Sequence, residues 1–414
     1  MLTVAEAIGA ILDEVKRLPG TRVPLNDALG QVLTEEAISD LDSPPFDKSL
    51  MDGYAVRSAD VTSGLKHLRV VDEVMAGQLA RRPVEAGEAI RIMTGAPIPL
   101  GADAVIPVEQ THLNAGDRET VNLVIEPANV TAGKNILRRG ASTLKGTRVI
   151  PAGRLLRPQE IGALAELGKA EVAVNRAPRV VVLATGNELV PIDEIPGPGQ
   201  IRNSNEPMLL AQLRKMGAVS ASLGVARDDP ADLRNRVQQG LAHDLFVLSG
   251  GVSAGELDLV PGVLAEAGVR NVFHKVRVKP GQPVWFGVAE RRSAPQAASN
   301  PALCYVFGLP GNPVSSMVCC ELFVRPALRR MMGIDPAIPE SVRARLTRQH
   351  FNGGNRPTYH PARCVPSDTG FIVEPVKWAG SADLCATVEA NAMALFPVGE
   401  QLYEAGTLLD VFLW

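Results

Sequence analysis

The sequence predicts a multidomain α/β protein, in which a central parallel α/β sheet is preceded by a β-rich unit and followed by a small β domain. Residues 179–330 alternate strand-like and helix-like segments, the pattern of a parallel sheet. Residues 44–150 carry many Gly and Pro with short β-like runs, and residues 336–414 combine strand-like stretches with Gly and Pro turns. At 414 residues the chain is too long for one ordinary core, so several domains are expected.

The N-terminal segment "MLTVAEAIGAILDEVKRL" has the apolar pattern of an amphipathic helix. Thr3 and Glu6 have capping-box spacing, which predicts that this helix begins after Thr3. The acidic residues within the pattern argue against a signal peptide, and no apolar run approaches the roughly 20 residues that a membrane span needs.

Composition argues against several kinds of partner. The 42 basic and 45 acidic residues leave a formal charge of −3, and 4% of residues are aromatic, so a nucleic-acid surface is not indicated and the ligand is expected to be small. The five cysteines show no CxxC pair, which favours reduced thiols in a cytoplasmic protein.

In the α/β region, helices are expected after the strand-like runs "RVVVLATG", "AVSASLGVARDDP" and "DLFVLSGG". A fourth strand enters "VFGLPGNPVSSMVCC" (306–320), where the period changes from strand to helix across 308–313. Asn312 suits an N-cap and Pro313 suits the first helical position. Glycines and free helix amides favour an anion such as phosphate, although a plain strand-to-helix turn has the same signature.

Polar residues and glycines follow each predicted strand. Ligands of open α/β sheets bind beyond the carboxyl ends of the strands, so these four corners are expected to converge on one phosphate- and metal-binding crevice. Capping and turn chemistry is the simpler interpretation for Asn187, Asp229 and Ser253. In chain order the corner residues are Thr185, Gly186, Asn187 and Glu188; Asp228 and Asp229; Ser249, Gly250, Gly251, Ser253, Glu256 and Asp258; and Gly308, Leu309, Pro310, Gly311, Asn312 and Pro313.

Known nucleotide motifs do not match these corners. Residues 250–255 have the outer glycine spacing of a P-loop, but Glu256 stands where that loop needs a lysine. No GxGxxG follows a strand, which removes the main signature of a dinucleotide-dependent oxidoreductase. The histidines show no spacing for catalytic zinc, whereas Asp228 and Asp258 would suit Mg²⁺ bridging to a substrate phosphate.

The segment "HKVRVKPGQP" places Lys275, Arg277 and Lys279 two residues apart. On a strand these residues share one face, so the segment predicts a cationic face able to hold an oxyanion. A solvated strand edge is an equally good interpretation for Arg277.

Six long stretches are spread over nearly the whole chain: "SPPFDKSLMDGYAVR" (43–57), "IRIMTGAPIPLGADAVIPVE" (90–109), "ATGNEL" (184–189), "LSGGVSAGELD" (248–258), "KVRVKPGQP" (275–283) and "FGLPGNPVSS" (307–316). Together they resemble the molybdopterin molybdenumtransferase family, which performs the last step of molybdenum cofactor synthesis and includes the C-terminal domain of gephyrin. The resemblance implies a multidomain α/β fold with four domains. These are an elongated N-terminal domain (1–43 and 144–178), an inserted β-rich domain (44–143), a three-layer molybdopterin-binding α/β domain (179–330) and a C-terminal β domain (331–414).

The resemblance also implies the reaction: adenylylated molybdopterin and molybdate give molybdenum cofactor and AMP, with Mg²⁺ assisting. By similarity, the catalytic residues would be Asp52, Thr94, Glu188, Asp228, Asp258, Lys275 and Lys279, with Asp228 and Asp258 holding the metal. The residues expected to bind the pterin substrate are Thr185, Gly186, Ser249, Gly250, Gly251, Ser253, Gly308, Pro310, Gly311, Asn312, Pro313 and Ser315.

Members of this family are homodimers, so Asp52 and Thr94 of one subunit are expected to approach the α/β crevice of the other. The resemblance further implies a cytoplasmic protein without nucleic-acid or membrane partners. The molybdopterin adenylyltransferase and molybdoenzyme chaperones are its expected protein partners.

The chain departs from the family pattern at two places. "NILRRGAST" (135–143) has Leu137 and Ser142 where an arginine and an aspartate are usual, and Arg138 and Arg139 are candidates to replace the arginine. "GQIRNSN" (199–205) also lacks the usual aromatic and acidic residues at 202 and 203. These losses leave open the alternative that the chain is a paralogue of the insertase, which binds the pterin or the cofactor but has little insertase activity. An adenylyltransferase is disfavoured because "SLMDGYAV" and "RIMTGAPIP" belong to the insertase.

Overall fold

The structure, a computed structural model, describes residues 1–113, 119–227, 229–252, 259–291 and 302–414. The chain forms two compact units. The first contains Met1–Thr34, Gly153–Arg157 and Glu171–Trp414, and the second contains Glu35–Ala152 and Pro158–Ala170. The four-domain boundaries given above stay a prediction.

A six-stranded sheet forms the centre of the first unit. Its strands are β1 (Arg179–Thr185), β2 (Val219–Ala226), β3 (Leu245–Ser249), β4 (Arg270–His274), β5 (Trp285–Glu290) and β6 (Leu303–Leu309). The spatial order is β2-β1-β3-β6-β5-β4. The first four strands are mutually parallel, as predicted, and β5 and β4 add an antiparallel edge. The carboxyl ends of β1, β2, β3 and β6 therefore lie along one edge of the sheet.

Helices cover both faces of this sheet. They are α1 (Asn205–Lys215), α2 (Pro230–Gly240), α3 (Leu259–Glu266), α4 (Pro313–Cys319) and α5 (Arg325–Met331), with a π turn at Cys320–Val324 between α4 and α5. Alternate residues of β1 face opposite cores: Val180 and Val182 pack with α1, α4 and α5, and Val181 and Leu183 pack with α2 and α3. The predicted three-layer α/β fold is thus confirmed.

The N-terminal helix spans Val4–Glu14 and joins the first of these two cores. Its predicted capping box is present, because the Glu6 amide donates to the Thr3 hydroxyl and the Thr3 amide donates to the Glu6 carboxylate. A short antiparallel ladder, Gly20–Pro24 with Glu171–Asn175, also belongs to this unit. No helix within the described ranges has the length and apolar content needed to cross a bilayer.

The C-terminal part is a closed five-stranded barrel, which confirms the predicted small β domain. Its strands, in order around the barrel, are Val342–Leu346, Gly370–Pro375, Thr358–Ser367, Ala392–Phe396 and Leu408–Leu413. A separate antiparallel pair joins His350–Asn352 to Gln401–Tyr403.

The second unit is β-rich, as predicted. Its main sheet contains, in spatial order, Ala104–Pro107, Gly53–Val56, Glu88–Ile92, His67–Val74, Thr120–Leu123 and Thr111–Leu113. Two short antiparallel pairs join Ala37–Ile38 to Arg148–Ile150 and Lys48–Ser49 to Ile136–Leu137. Its helices are Ser58–Thr62 and Pro158–Glu166.

A buried ion cluster lies at the amino end of β3. Asp244 is fully buried and accepts hydrogen bonds from Arg176 (2.6 and 2.7 Å), Arg291 (2.5 Å) and the Arg179 amide (2.9 Å). Burial alone would raise the pKa of Asp244, but the hydrogen bonds from Arg176 and the Arg179 amide, with the two guanidinium charges, lower it. Next to the cluster, the β5–β6 hairpin is held by a bond from the Arg291 amide to the Ala302 carbonyl (2.7 Å).

Candidate functional site

A cavity of about 810 Å³ lies at the carboxyl edge of the parallel sheet. The ends of β1, β3 and β6 and the first residues of α1 and α4 form its walls. The structure therefore brings together ten of the residues predicted from sequence: Thr185, Gly186, Glu188, Ser249, Gly250, Gly251, Pro310, Gly311, Asn312 and Pro313.

The glycines after β3 are required by both backbone and space. Gly250 has φ +94°, and a Cβ there would lie 2.7 Å from the Thr185 carbonyl oxygen. Gly251 has φ +66°, and its Cβ would lie 2.8 Å from Val260. Side chains at these positions would push the ends of β1 and β3 apart, so the two glycines keep the floor of the cavity closely packed.

Charged side chains are few among the described residues that line the cavity. Among the described lining residues, Glu188 and Arg202 carry the ionisable side chains. The Glu188 carboxylate lies over Gly186, where a Cβ would come within 2.4 Å of Oε2, and the Arg202 guanidinium donates to the Glu194 carbonyl (2.9 Å). The walls can therefore recognise a ligand mainly through neutral polar groups.

Asn205 is a lining residue that the sequence analysis missed. Its Nδ2 donates to the Ser249 hydroxyl (2.8 Å) and to the Gly311 carbonyl (2.7 Å), so one amide joins two corners. Those partners lie 44 and 106 residues away in the chain, and no local pattern could reveal them. The signal available was its position at the start of a helix that follows β1.

The strand-to-helix corner at 306–320 was predicted correctly. β6 ends at Leu309, Asn312 occupies the N-cap of α4, and Pro313 is its first residue. The Asn312 side chain, however, does not cap the helix and donates instead to the Ser381 hydroxyl (3.0 Å). The capping interpretation of Asp229 is confirmed, since its carboxylate accepts from the Asp232 amide (3.0 Å) at the start of α2.

Some predicted residues are not part of the cavity lining. Gly308 is buried within β6, where a Cβ would lie 2.6 Å from Val252, so packing explains this glycine. Ser315 is buried in α4. Asp228, Ser253, Glu256 and Asp258 lie outside the described residues.

The expected strand carrying Lys275, Arg277 and Lys279 does not form. Lys275 has φ +73°, in the left-handed region, and the segment after it makes only isolated bridges, Val276 with Leu2 and Lys279 with Thr358. The backbone leaves regular strand pairing after β4, but burial still alternates: Val276 and Val278 are buried in the core, whereas Lys275 and Lys279 are half-buried and Arg277 is exposed. Neither lysine lines the sheet-edge cavity, and the Lys279 ammonium donates to the Gly353 carbonyl (3.3 Å).

Lys279 lines a second cavity of about 540 Å³, formed with the C-terminal barrel region. Arg348 and Lys377 add further positive charge to its wall. His360 also lines it, and its Nε2–H donates to the Val376 carbonyl (2.9 Å), because a carbonyl oxygen can only accept. Burial lowers the pKa of His360 to about 4, so this imidazole is neutral at neutral pH.

Asp52 and Thr94 contact each other in the second unit. The Asp52 carboxylate accepts from the Thr94 hydroxyl (2.6 Å) and from the Thr94 amide (2.7 Å). These hydrogen bonds lower the pKa of Asp52 and keep the exposed carboxylate ionised.

The arginines next to Leu137 are both paired. Arg138 contacts Asp47 at 2.6 Å and Arg139 contacts Asp42 at 2.7 Å. Backbone hydrogen bonds to these two carboxylates, together with the arginines, lower the pKa of each. Both guanidinium groups already have carboxylate partners within their own unit.

No group of three or more His, Cys, Asp or Glu side chains suited to a metal occurs in the part of the chain that the structure describes. The described oxygen donors of the sheet-edge cavity include the Glu188 carboxylate and the Thr185 hydroxyl. Such hard oxygen ligands are of the type that Mg²⁺ prefers.

Three family descriptions match the chain. They are "MoeA N-terminal region (domain I and II)" over residues 2–168, "Probable molybdopterin binding domain" over 181–330 and "MoeA C-terminal region (domain IV)" over 343–414. The second match contains the walls of the sheet-edge cavity formed by β1, β3, β6, α1 and α4. Fold and cavity thus define a MoeA-like multidomain protein built around a MoCF-type α/β domain.

Curated relatives and a solved structure agree with this class. The molybdopterin molybdenumtransferase of Staphylococcus aureus (strain Mu50 / ATCC 700699) is 33% identical over 417 residues, covering 100% of this chain and 95% of the relative. The Staphylococcus epidermidis (strain ATCC 12228 / FDA PCI 1200) enzyme of the same name is 33% identical over 425 residues, with the same coverage. The molybdopterin biosynthesis MoeA protein from Pyrococcus horikosii superposes with a TM-score of 0.79 at 28% identity, covering 100% and 99% of the two chains. The chain belongs to the molybdopterin molybdenumtransferase family.

Proposed function

We propose that this protein inserts molybdenum from molybdate into adenylylated molybdopterin and releases AMP and molybdenum cofactor. Membership of the family supports the coarser assignment, a transferase of molybdenum cofactor biosynthesis. The observation that carries the finer assignment is the sheet-edge cavity, in which three strand ends bring glycines and neutral polar groups around one space. A ligand with several phosphate oxygens and a polar ring suits such walls.

In this proposal, the corners after β1, β3 and β6 bind the phosphates and pterin of the substrate. Thr185 and the backbone of Gly250 and Gly251 form the floor, and the 310–313 loop forms one wall. Mg²⁺, when bound, would stabilise negative charge as the phosphoanhydride is cleaved. We propose Asp228 and Asp258 as its ligands, with Glu188 facing the same space.

For molybdate, we propose Lys279 and Lys275 as the cationic residues. Lys279 lies beside Arg348 and Lys377 in the second cavity, which supports an attraction for a small oxyanion there. The lysine ammonium is a compact charge that suits a tetrahedral oxyanion better than a planar ring.

We further propose that the active form is a cytoplasmic homodimer whose partner subunit supplies Asp52 and Thr94, and that it receives its substrate from the molybdopterin adenylyltransferase. Light scattering at micromolar protein tests the dimer directly. A monomeric mass would reject it.

A second candidate is a paralogue that binds the pterin but inserts metal poorly. The observation favouring it is that Arg138 and Arg139 are engaged by Asp47 and Asp42, which makes them poor replacements for the arginine that Leu137 displaces. Ser142 is exposed and supplies no charge in place of the usual aspartate.

The deciding experiment mixes purified protein with adenylylated molybdopterin, molybdate and Mg²⁺ and follows AMP release in a single turnover. The insertase proposal expects AMP and cofactor to form only when all three are present. Substrate binding without AMP release would favour the paralogue.

Matched variants at neighbouring positions test the metal ligands. Asp228→Ala and Asp258→Ala should slow AMP release by about 100-fold or more, because each removes a metal-binding carboxylate. Asp229→Ala removes only the cap of α2, so it should cost about 1 kcal/mol of stability and leave the rate unchanged. Equal rates in Asp228→Ala and Asp229→Ala would reject the metal role of Asp228.

A further inference from the structure

A chain of three polar side chains lies against the 310–313 loop. Asn205 Nδ2 donates to the Ser249 hydroxyl (2.8 Å) and to the Gly311 carbonyl (2.7 Å). Ser316 Oγ lies 3.5 Å from Ser249 Oγ and donates to the Pro310 carbonyl (2.5 Å). Ser249 and Ser316 are buried, at 2% and 0% exposure, so neither hydroxyl exchanges these partners for solvent. We call Asn205, Ser249 and Ser316 the loop clamp.

The direction of the bonds in the loop clamp is fixed by chemistry. Carbonyl oxygens only accept, so Asn205 must present Nδ2 to Gly311 and Ser316 must donate to Pro310. This orientation leaves Asn205 Oδ1 buried without a partner among the described residues. An unpaired buried oxygen is destabilising, so stability alone does not account for an asparagine at this position.

The loop clamp fixes two consecutive peptide groups. In a trans peptide the N–H points opposite to the preceding C=O, and neither of these two bonds is cis. When the Pro310 and Gly311 carbonyls point to the loop clamp, the amides of Gly311 and Asn312 must point away from it. Pro310 and Pro313 have no N–H, so these two amides are the backbone donors that 310–313 can offer.

Neither amide has a hydrogen-bond partner among the described residues, and both Gly311 and Asn312 line the sheet-edge cavity. Successive backbone N–H groups of a loop can together bind an anion. We propose that Asn205 and Ser316 are positioning residues, which turn the Gly311 and Asn312 amides toward a phosphate oxygen of adenylylated molybdopterin. This inference rests on the proposed function, since it names the group that the same cavity would hold.

The test measures the equilibrium Kd of adenylylated molybdopterin, without molybdate, for Asn205→Ala, Ser316→Ala and the double variant. Each single change should weaken binding by about tenfold, because the loop amides lose their fixed direction. The double variant should bind only slightly more weakly than the weaker-binding single variant, because both side chains act on the same loop. Ser316→Ala removes one oxygen atom, so it keeps the test valid if Asn205→Ala does not fold.

Asn175→Ala is the matched control. Like Asn205, Asn175 donates through Nδ2 to a backbone carbonyl (Leu18, 2.8 Å) and has a buried Oδ1 without a partner among the described residues, but it does not line the cavity. It should lower thermal stability while leaving Kd within about twofold. Similar Kd values for Asn205→Ala and wild type, or effects of the two changes that multiply, would overturn the proposal.

The same experiment separates the two levels of inference. If wild type binds adenylylated molybdopterin and the variants weaken binding as expected, but wild type releases no AMP, the positioning role of the loop clamp is supported and the insertase function is rejected. If wild type releases AMP and the variants bind adenylylated molybdopterin normally, the positioning role is rejected and the insertase function is retained. Absence of binding by wild type would reject both.

Discussion

The two cavities of the first unit differ in what their walls offer. At the edge of the parallel sheet, neutral side chains and backbone groups dominate, with Glu188 and Arg202 as the charged lining residues among those described. At the barrel, Lys279, Arg348 and Lys377 give the wall a net positive charge. Both cavities are comparable in size, about 810 and 540 Å³, so size alone does not distinguish them.

This difference indicates two modes of recognition. Backbone groups held by glycines and a buried hydrogen-bond chain have fixed directions, which suits a large substrate with a defined shape. Flexible lysines and arginines attract charge with little demand on direction, which suits a small and symmetric oxyanion.

Among changes that test the difference between the two cavities, the largest effect is expected for Gly250→Ala. The added Cβ would meet the Thr185 carbonyl at 2.7 Å in a backbone with φ +94°, so the floor of the sheet-edge cavity must shift. AMP release should fall by about 100-fold, as a displacement near 1 Å of positioning groups can cause. Gly262→Ala, in α3 with no atom near its Cβ, is the control and should keep the wild-type rate. A wild-type rate in Gly250→Ala would show that directional backbone groups do not matter.

The next effect concerns acid stability at the barrel cavity. Burial lowers the pKa of His360 to about 4, so on acidification the unfolded chain takes up a proton there before the folded protein does. His360 therefore has no effect on stability well above pH 6.5, reduces stability as the pH falls from about 6.5 to about 4, and adds no further loss below that. Its share of the loss at about pH 5 should be about 2 kcal/mol.

Urea unfolding near neutral pH and near pH 5 measures this loss. His360→Gln should reduce the dependence of unfolding free energy on pH, because glutamine does not titrate. This holds even if the variant is less stable than wild type at neutral pH. The burial-lowered pKa of His350 acts in the same direction, so some dependence should remain. An unchanged slope in His360→Gln would mean that His360 titrates normally.

Lys279→Ala is expected to have a smaller and selective effect. Removing this charge should raise the molybdate concentration for half-maximal cofactor formation by about tenfold, while the Kd of adenylylated molybdopterin stays within about twofold. Arg343→Ala, which breaks an exposed pair with Asp410 on the barrel, is the control and should change neither value. If Lys279→Ala weakened the binding of both substrates equally, the proposed difference between the two cavities would be rejected.

The smallest effect is expected outside both cavities, for Leu137→Arg combined with Ser142→Asp. Because Arg138 and Arg139 are already paired, the double change should raise the single-turnover rate a few-fold and leave pterin binding unchanged. Either change alone adds one charge without its partner and should raise the single-turnover rate by less than the double change does. If wild type already releases AMP fast and the double variant is no faster, these two charges are dispensable in this protein.

The residues that the sequence predicted best are those whose roles depend on neighbours in the chain. The corner at 306–320 was found because strand and helix periods meet at Gly308 to Pro313, and Asp229 because caps are local. Asn205 was missed because its partners, Ser249 and Gly311, are remote in sequence.

The cationic segment was misjudged for a different physical reason. A strand requires a continuously extended backbone, and Lys275 at φ +73° interrupts it, although the burial of Val276 and Val278 still alternates with the three cationic residues. The neighbours of Lys279, namely Gly353 and Thr358, come from the barrel region and not from its own segment. Sequence could thus supply the charge of Lys279 but not the cavity that it enters.

The closure of the β5–β6 hairpin has a practical consequence for engineering. The Arg291 amide holds the Ala302 carbonyl, and the Arg291 guanidinium is bound to the buried Asp244, so both ends of the intervening segment are fixed by contacts that do not involve residues 292–301. Lengthening a connection between fixed ends costs little, about 0.6 kcal/mol for each doubling of its length. An affinity peptide or fluorescent reporter inserted between Arg291 and Ala302 should therefore leave both contacts in place and provide a handle for purifying or tracking the protein.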